Sequence, residues 1–249
     1  MQDLKISLIT VCYNAENTID QCIQSVFGQS FKNIQYIIID GGSTDKTVRI
    51  IDRYKDKINI FLSGPDAGIY DAMNKGIKLA GGDIIGMLNA DDCFADNTVL
   101  STVAEAFKQQ DAPIIYGDLD FVNSRGSIIR KWRSAQYSPG MFNWGWMPPH
   151  PTFYCKRELF HQFGFYSLDY GTAADYELML RFMHLHKINA FYIKKIIITM
   201  KIGGISNKSF ANRVKGLLFD FKAMRNNGIL IPAITLLFKP LRKINQYYK

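Results

Sequence analysis

Through the first half of the chain, short Ile-rich apolar runs alternate with segments whose apolar positions recur at helical spacing. Ile6 to Val11, Ile34 to Ile39, Ile58 to Leu62 and Ile84 to Leu88 have strand length and are bounded by turn residues, so each predicts a buried strand. Between them, Ile19, Ile23, Val26 and Phe27 mark one helix face, Val48, Ile51 and Tyr54 a second, and Met73, Ile77 and Ala80 a third. This order predicts an α/β fold: a mostly parallel, Rossmann-like sheet with helices on both faces and right-handed crossovers.

After Pro113 the alternation loosens. Ile114 to Gly117 and Ile128 to Trp132 read as strands, and Met141 to Phe153 is an aromatic, proline-rich stretch that reads as irregular loop. A helix is expected near Ala174, with Leu178, Arg181 and Phe182 at helical spacing, followed by strands at Ala190 to Ile193 and Ile196 to Ile202. No internal repeat or low-complexity segment interrupts the pattern.

Composition narrows the class. With 249 residues, 47% of them hydrophobic and 13% aromatic, the chain can bury a sizeable core. Cys12, Cys22, Cys93 and Cys155 lie far apart, without zinc-ligand spacing, and read as reduced thiols. The N-terminus enters a strand at once with no apolar signal stretch, so a cytoplasmic protein is expected. Charge is concentrated at one end. From Lys208 onward nine basic residues face Asp220 alone, and the remainder of the chain is balanced, so the whole formal +8 resides in the tail.

Candidate chemistry lies where strands end. In an open α/β sheet, ligands bind beyond the carboxyl ends of the strands, and carboxylates there can hold a hard cation against a phosphate. Asn89-Ala90-Asp91-Asp92 follows the fourth strand and offers such a pair, Asp91 and Asp92, for a metal; capping of the next helix is the simpler role for Asp92 or Asp96. Asp40, in Ile39-Asp40-Gly41-Gly42-Ser43-Thr44-Asp45, ends the second strand. It either shapes the turn or accepts the N3–H of a uracil-type base. Asp66 is a turn residue or a nucleotide contact, and Asn74 and Lys75, on the next helix, are a solvated face or phosphate-reaching groups.

Ser7-x-Ile9-Thr10-x-Cys12-Tyr13-Asn14, the Asp40 to Asp45 segment, Asp66-x-Gly68-Ile69-Tyr70-Asp71-Ala72-Met73-Asn74-Lys75-Gly76 and Leu88-Asn89-Ala90-Asp91-Asp92 together closely resemble inverting glycosyltransferases of family 2 over about residues 4 to 206. The resemblance is strongest to bacterial enzymes of the colanic-acid type that build surface polysaccharides, such as capsule and lipopolysaccharide. It implies the GT-A fold, a nucleotide-sugar donor, most often a UDP-sugar, and Mn²⁺ or Mg²⁺. It also implies nucleoside contacts at Thr10, Tyr13 and Asp40 and metal binding at Asp91. Asn89 stands where many relatives have the first Asp of an Asp-x-Asp motif, and Met73 where many have Arg. Gly171-Thr172-Ala173-Ala174-Asp175-Tyr176-Glu177 resembles the segment bearing the catalytic base. Asp175 is the expected base, with Glu177 the alternative and Ala174 in place of a common Glu. His150 resembles an acceptor-side position. Trp144 and Trp146 are open between sugar stacking and loop core, with Trp146 the acceptor-side candidate. Gly203-Gly204-Ile205-Ser206 resembles a mobile flap near the end of the catalytic domain.

On this basis residues 1–206 are expected to form the catalytic domain, with a nucleotide-sugar half of about 1–112 and an acceptor half of about 113–206, and residues 207–249 a basic amphipathic extension. The run Ile229 to Phe238 is shorter than the ~20 apolar residues that span a bilayer. With its flanking cations, it suits either the anionic inner face of the cytoplasmic membrane or packing on the domain. A membrane partner fits a polyprenyl-diphosphate-linked glycan acceptor. Nucleic acid is disfavoured because no recognition motif accompanies the charge. Two competing readings are a sugar-phosphate nucleotidyltransferase and a non-catalytic carbohydrate-binding assembly subunit. The first lacks its glycine-rich basic loop, since Tyr13-Asn14-Ala15-Glu16-Asn17 has neither feature. Intact Asp91, Asp92 and Asp175 oppose the second, whereas Asn89 and Ala174 leave it open.

Overall fold

Strand β1 (Ile6–Cys12) is buried along its whole length and pairs in parallel with β2 (Ile34–Asp40) on one side and β4 (Ile84–Met87) on the other. A strand covered on both faces needs apolar residues at every position, which is why it appears as an unbroken run. The computed structural model describes residues 4–201, 210–244 and 246–247. Helices α1 (Ile19–Phe27), α2 (Thr47–Asp52) and α3 (Ile69–Leu79) separate β1, β2, β3 (Ile60–Ser63) and β4. The resulting order, β3-β2-β1-β4, reverses direction between β1 and β4, and a crevice opens at such a switch point.

The second half completes a nine-stranded sheet. Its elements are β5 (Asp92–Phe94), α4 (Val99–Gln109), β6 (Ile114–Val122), β7 (Ile128–Trp132), β8 (Tyr154–Lys156), α5 (Glu158–Phe163), α6 (Ala174–Met179), β9 (Ala190–Lys201), α7 (Phe210–Asn226) and α8 (Pro232–Ile244). The path continues β4-β8-β6-β9-β5, with β7 forming a hairpin on β6. Strand β8 pairs antiparallel with both β4 and β6 and joins the halves. The two strands expected at Ala190 to Ile193 and Ile196 to Ile202 are one 12-residue strand that follows β6 in parallel through register shifts.

Side-chain alternation along β1 divides the core. Ile9 and Val11 join the layer beneath α3 and the second half, whereas Ile6, Leu8 and Cys12 join the layer beneath α1 and α4. The C-terminal helices belong to the first layer: Ala223 and Met224 are fully buried there with Phe142 and Tyr176. The segment expected as an extension therefore packs against the catalytic half. Pro232 opens α8, where a missing N–H costs nothing. The Gly203 to Ser206 motif lies outside the described residues.

Candidate active site at the carboxyl ends of the parallel strands

Asp40 closes the loop after β2 on itself. Its carboxylate accepts from Ser43 N (3.0 Å) and Gly42 N (3.2 Å), from Ser43 Oγ (2.5 Å), and from Ser63 Oγ (2.6 Å) at the end of β3. Burial disfavours the charged form, but these bonds together outweigh it and hold the carboxyl below its usual range. With the side chain buried and both oxygens engaged, Asp40 shapes the site and does not face a base. Thr10 requires the same correction. It points into the layer under α1, where its hydroxyl meets Tyr36 Oη at 3.1 Å, so its side chain is core. Tyr13, just past β1, is 60% exposed and open to a ligand.

Asp66 lies directly over Gly41: a Cβ added there would stand 2.6 Å from Asp66 Oδ2, so a side chain at this position would displace the Asp66 carboxylate. Asp66 is half-buried and accepts from Gly68 N (2.8 Å), at the entrance to α3. Lys75 Nζ holds this loop through Pro65 O (3.0 Å) and pairs with Asp71 (3.1 Å). Asn74 departs from expectation. Its amide both donates to Tyr166 O (2.8 Å) and accepts from Tyr166 N (3.0 Å), so it fastens α3 to the second half and is not free for a phosphate.

The acidic turn after β4 divides by burial. Asp91 is half-buried, whereas Asp92 is 0% exposed. Burial first, and then the neighbouring Asp91, push the Asp92 carboxyl well above the usual carboxylate range. Its Oδ2 accepts from Asn89 Nδ2 (3.3 Å), while Asp92 Oδ1 and Asn89 Oδ1 are buried without a hydrogen-bond partner. Asp92 is thus an interior group whose charged form burial disfavours, not an open metal ligand. Among the described residues no cluster of three or more His, Cys, Asp or Glu is placed to hold a metal. Asp91 is the one carboxylate of this turn left open, and it is the residue that would hold a divalent cation.

In the second half of the chain, His150 Nδ1 and Asp175 Oδ2 are 3.0 Å apart. His150 comes from a 3₁₀ turn, His150–Thr152, and Asp175 from the first turn of α6. Tyr70 reaches this place from the start of α3; its Oη lies 3.4 Å from Thr172 O, and burial, then the Asp175 charge, raise its pKa. Gly171, with φ of 46°, turns the chain into Asp175, and Phe219 of α7 packs so close that a Cβ would lie 2.3 Å from its ring.

The model of the family described as glycosyl transferase family 2 matches residues 7–172. An uncharacterised glycosyltransferase of Mycobacterium tuberculosis is 32% identical over 189 residues, 71% of this chain and 68% of that protein.

The chain belongs to glycosyl transferase family 2.

Solved structures share its architecture. Staphylococcus aureus TarS 1–349 in complex with UDP-GlcNAc superposes with a TM-score of 0.70 at 18% identity, covering 98% of this chain and 73% of that one. The longer TarS chain is 44% covered, so this chain spans under half of it. The mannosyltransferase PcManGT from Pyrobaculum calidifontis, in complex with GDP-Man and Mn²⁺, superposes with a TM-score of 0.66 at 16% identity, covering 95% and 72%. At these identities the likeness is one of fold, the GT-A architecture.

In this glycosyltransferase two sequence expectations for the acceptor half meet the core. Trp146 is 6% exposed, stacked on Tyr137 and edge-on to Tyr116 and Phe142, so it fills the interior and offers no face to a sugar. Trp144 is exposed and packs against Phe238 of α8. Glu177, the alternative base, is buried and gripped by Arg181 through Nε (2.9 Å) and Nη2 (3.0 Å). Arg181 also donates to the carbonyls of Phe163, Gly164 and Phe165, so the pair secures the chain between α5 and α6. Sequence reasoning did not single out Tyr70, nor the buried carboxylates of β6. Asp118 accepts from Ser134 N and Tyr192 Oη (each 2.8 Å), and Asp120 pairs with Arg133 at 2.7 Å. Burial, the largest cause, raises the Asp118 pKa.

Proposed function

We propose that this family 2 enzyme transfers a sugar, with inversion, from a nucleoside-diphosphate sugar to a hydroxyl of a lipid-linked glycan at a membrane surface. The observation that carries the reading is the division of carboxylates. Asp40, Asp92 and Glu177 are all committed to the interior, which leaves the half-buried Asp66 and Asp91 at the strand ends and Asp175 beside His150.

The exposed Tyr13 ring and the Asp66 carboxylate supply a stacking face and an acceptor for a base such as uracil. Asp175 removes the proton from the acceptor hydroxyl as its oxygen bonds to the anomeric carbon. The bond from that carbon to the diphosphate breaks on the opposite face, and the proton resides on the Asp175 carboxyl. His150 donates to or accepts from Asp175 and fixes its orientation. A divalent cation would be held by Asp91 with Asn89 alongside, and it supplies charge neutralisation for the departing diphosphate. The UDP-GlcNAc and GDP-Man–Mn²⁺ complexes of the structural neighbours support donor class and metal use.

A membrane setting is supported by the outer side of the last two helices. Leu217, Leu218 and Phe221 of α7 and Leu237, Leu241 and Ile244 of α8 are exposed, on the segment that carries the chain's excess positive charge. No helix among the described residues is long and apolar enough to cross a membrane.

Thermal stabilisation by nucleoside diphosphates, each with and without Mn²⁺, tests the reading, since a ligand at about 100 times its Kd adds about 2.7 kcal/mol. UDP stabilisation that requires Mn²⁺ and is lost in Asp91→Ala is the expected result. No response to any diphosphate overturns the donor assignment and favours the non-catalytic alternative.

A further inference from the structure

Helix α8 grips the segment that leads to His150. Thr235 Oγ1 donates to Asn143 O (2.7 Å), Arg242 Nε to Trp144 O (2.8 Å), and Asn143 Oδ1 accepts from Leu230 N (3.2 Å). The backbone of Lys239 passes so close to Gly145 that a Cβ there would lie 2.6 Å from its nitrogen. The inward face of α8 is therefore fixed against the catalytic half, and it is cationic. Lys239 Nζ sits 3.6 Å above the ring of Tyr176, the neighbour of Asp175, and pairs with Asp220 at 2.7 Å. Lys243 follows at i+4, one turn further on, where it is exposed.

Arg130, from β7, meets this face from the other side. Its Nε donates to Gln246 Oε1 (2.7 Å), and its guanidinium lies among the rings of Phe121, Trp132 and Tyr247, at 4.5 to 5.6 Å from their centroids. Gln246 N in turn bonds to Lys243 O at 3.1 Å, which ties the arginine to the end of α8. Among the described residues neither Arg130 nor Lys243 has a carboxylate within ion-pair distance; Lys239 pairs with Asp220, and the charges of Asp220 and Asp175 both reach Lys243. Burial, and then Lys239 and Arg130, lower the Lys243 pKa. Like charges gathered on a partly exposed surface repel, and an anion bound among them relieves that repulsion.

We propose that Arg130, Lys239 and Lys243 form a docking site for the diphosphate of the acceptor, beside the Asp175–His150 pair. The inference rests on the reading of a lipid-linked acceptor and deepens it. Guanidinium and ammonium groups are the recognition chemistry of phosphate oxygens, and the aromatic frame fixes the Arg130 fork. The same helix turns Leu237 and Leu241 outward. One element thus faces lipid on one side and receives the diphosphate on the other, which leaves the attached sugar at Asp175.

The test uses the full chain with its donor site saturated by UDP and Mn²⁺, titrated with farnesyl diphosphate and with inorganic pyrophosphate. Lys243→Gln and Arg130→Gln are expected to weaken both about tenfold, as loss of one charge-assisted hydrogen bond implies. UDP-induced stabilisation should be retained, as a check that the variants fold. Phosphatidylglycerol vesicles, which offer anionic headgroups without a diphosphate, should bind the variants within about twofold of the parent chain. Equal farnesyl diphosphate affinity in parent and variants overturns the site, as does a loss of vesicle binding that matches the loss of farnesyl diphosphate. Failure of UDP to bind the parent chain would count against the donor reading instead, and the farnesyl diphosphate titration would still decide the docking site.

Discussion

His150 Nδ1 stands 3.0 Å from Asp175 Oδ2, so the proline-flanked turn before β8 and the first turn of α6 meet at one carboxylate. If Asp175 is the base, Asp175→Asn removes proton acceptance while keeping size and most hydrogen bonding. Turnover should fall by about 10²–10⁴-fold, with UDP stabilisation unchanged. His150→Ala leaves the carboxylate in place but unoriented, so kcat should drop by a smaller factor, with little change in donor KM. Steady-state kinetics on the pair, with His150→Gln as the conservative control, check both; an Asp175→Asn enzyme with parental turnover rules the assignment out.

Asp92 carries a carboxyl whose pKa is raised by burial and by Asp91. In the unfolded chain it ionises near 3.9, so as pH rises above that value the unfolded state gains charge that the folded state resists, and stability declines until the folded pKa is reached. Asp92→Asn removes this dependence and offers an N–H₂ to the orphaned Asn89 Oδ1. Thermal melts in chelator should show the variant about 1–3 kcal/mol more stable near pH 7, with the gap closing towards pH 4. A destabilised variant at neutral pH would overturn this account.

Glu177 and Arg181 form a buried i,i+4 pair, and breaking one leaves the other charge unanswered. Glu177→Ala should cost about 3–5 kcal/mol of folding stability, measured by denaturant titration. A variant that keeps its stability yet loses all turnover would return Glu177 to the list of candidate bases.

The exposed leucines of α7 and α8 can be tested without disturbing the core, since Leu218 and Leu237 are 66% and 69% exposed. Leu218→Asp and Leu237→Asp together should abolish flotation with anionic liposomes while preserving the melting temperature and UDP binding. Equal flotation by parent and variant sinks the membrane assignment.

Strands β1, β2 and β4 were legible because burial on both faces forces unbroken Ile-rich runs. Strand β9 was not, because Lys194 and Lys195 interrupt its apolar pattern at the place where its register against β6 shifts. Tail packing was hidden for a related reason. Along α7, Met224 turns inward with Phe219 and Ala223 while Leu217, Leu218 and Phe221 face out, so its apolar residues occupy two faces that spacing alone does not separate. At the site, the sequence located the loops but not the direction of each side chain. Thr10, Asp40 and Asn74 occupy the expected loops and elements but spend their polar atoms on distant partners: Tyr36, Ser63 and Tyr166. Those partners come from tertiary structure, which local spacing does not encode. The Glu177–Arg181 spacing was visible as a helical pair, but its burial was not.

The three residues of β5, which begin immediately after Asp91, are held in the sheet by Ile198, Thr199 and Met200 of β9. A fragment ending near residue 112 would retain β1 to β4 with Tyr13 and Asp66, yet lack the strand that anchors the turn bearing Asp91. The Asp91 carboxylate thus acquires its place only after about a hundred further residues have been synthesised and closed back onto the sheet, a long-range contact that forms late. On the proposed reading of the site, a nascent or truncated chain would offer its base contacts before its diphosphate contact is in place.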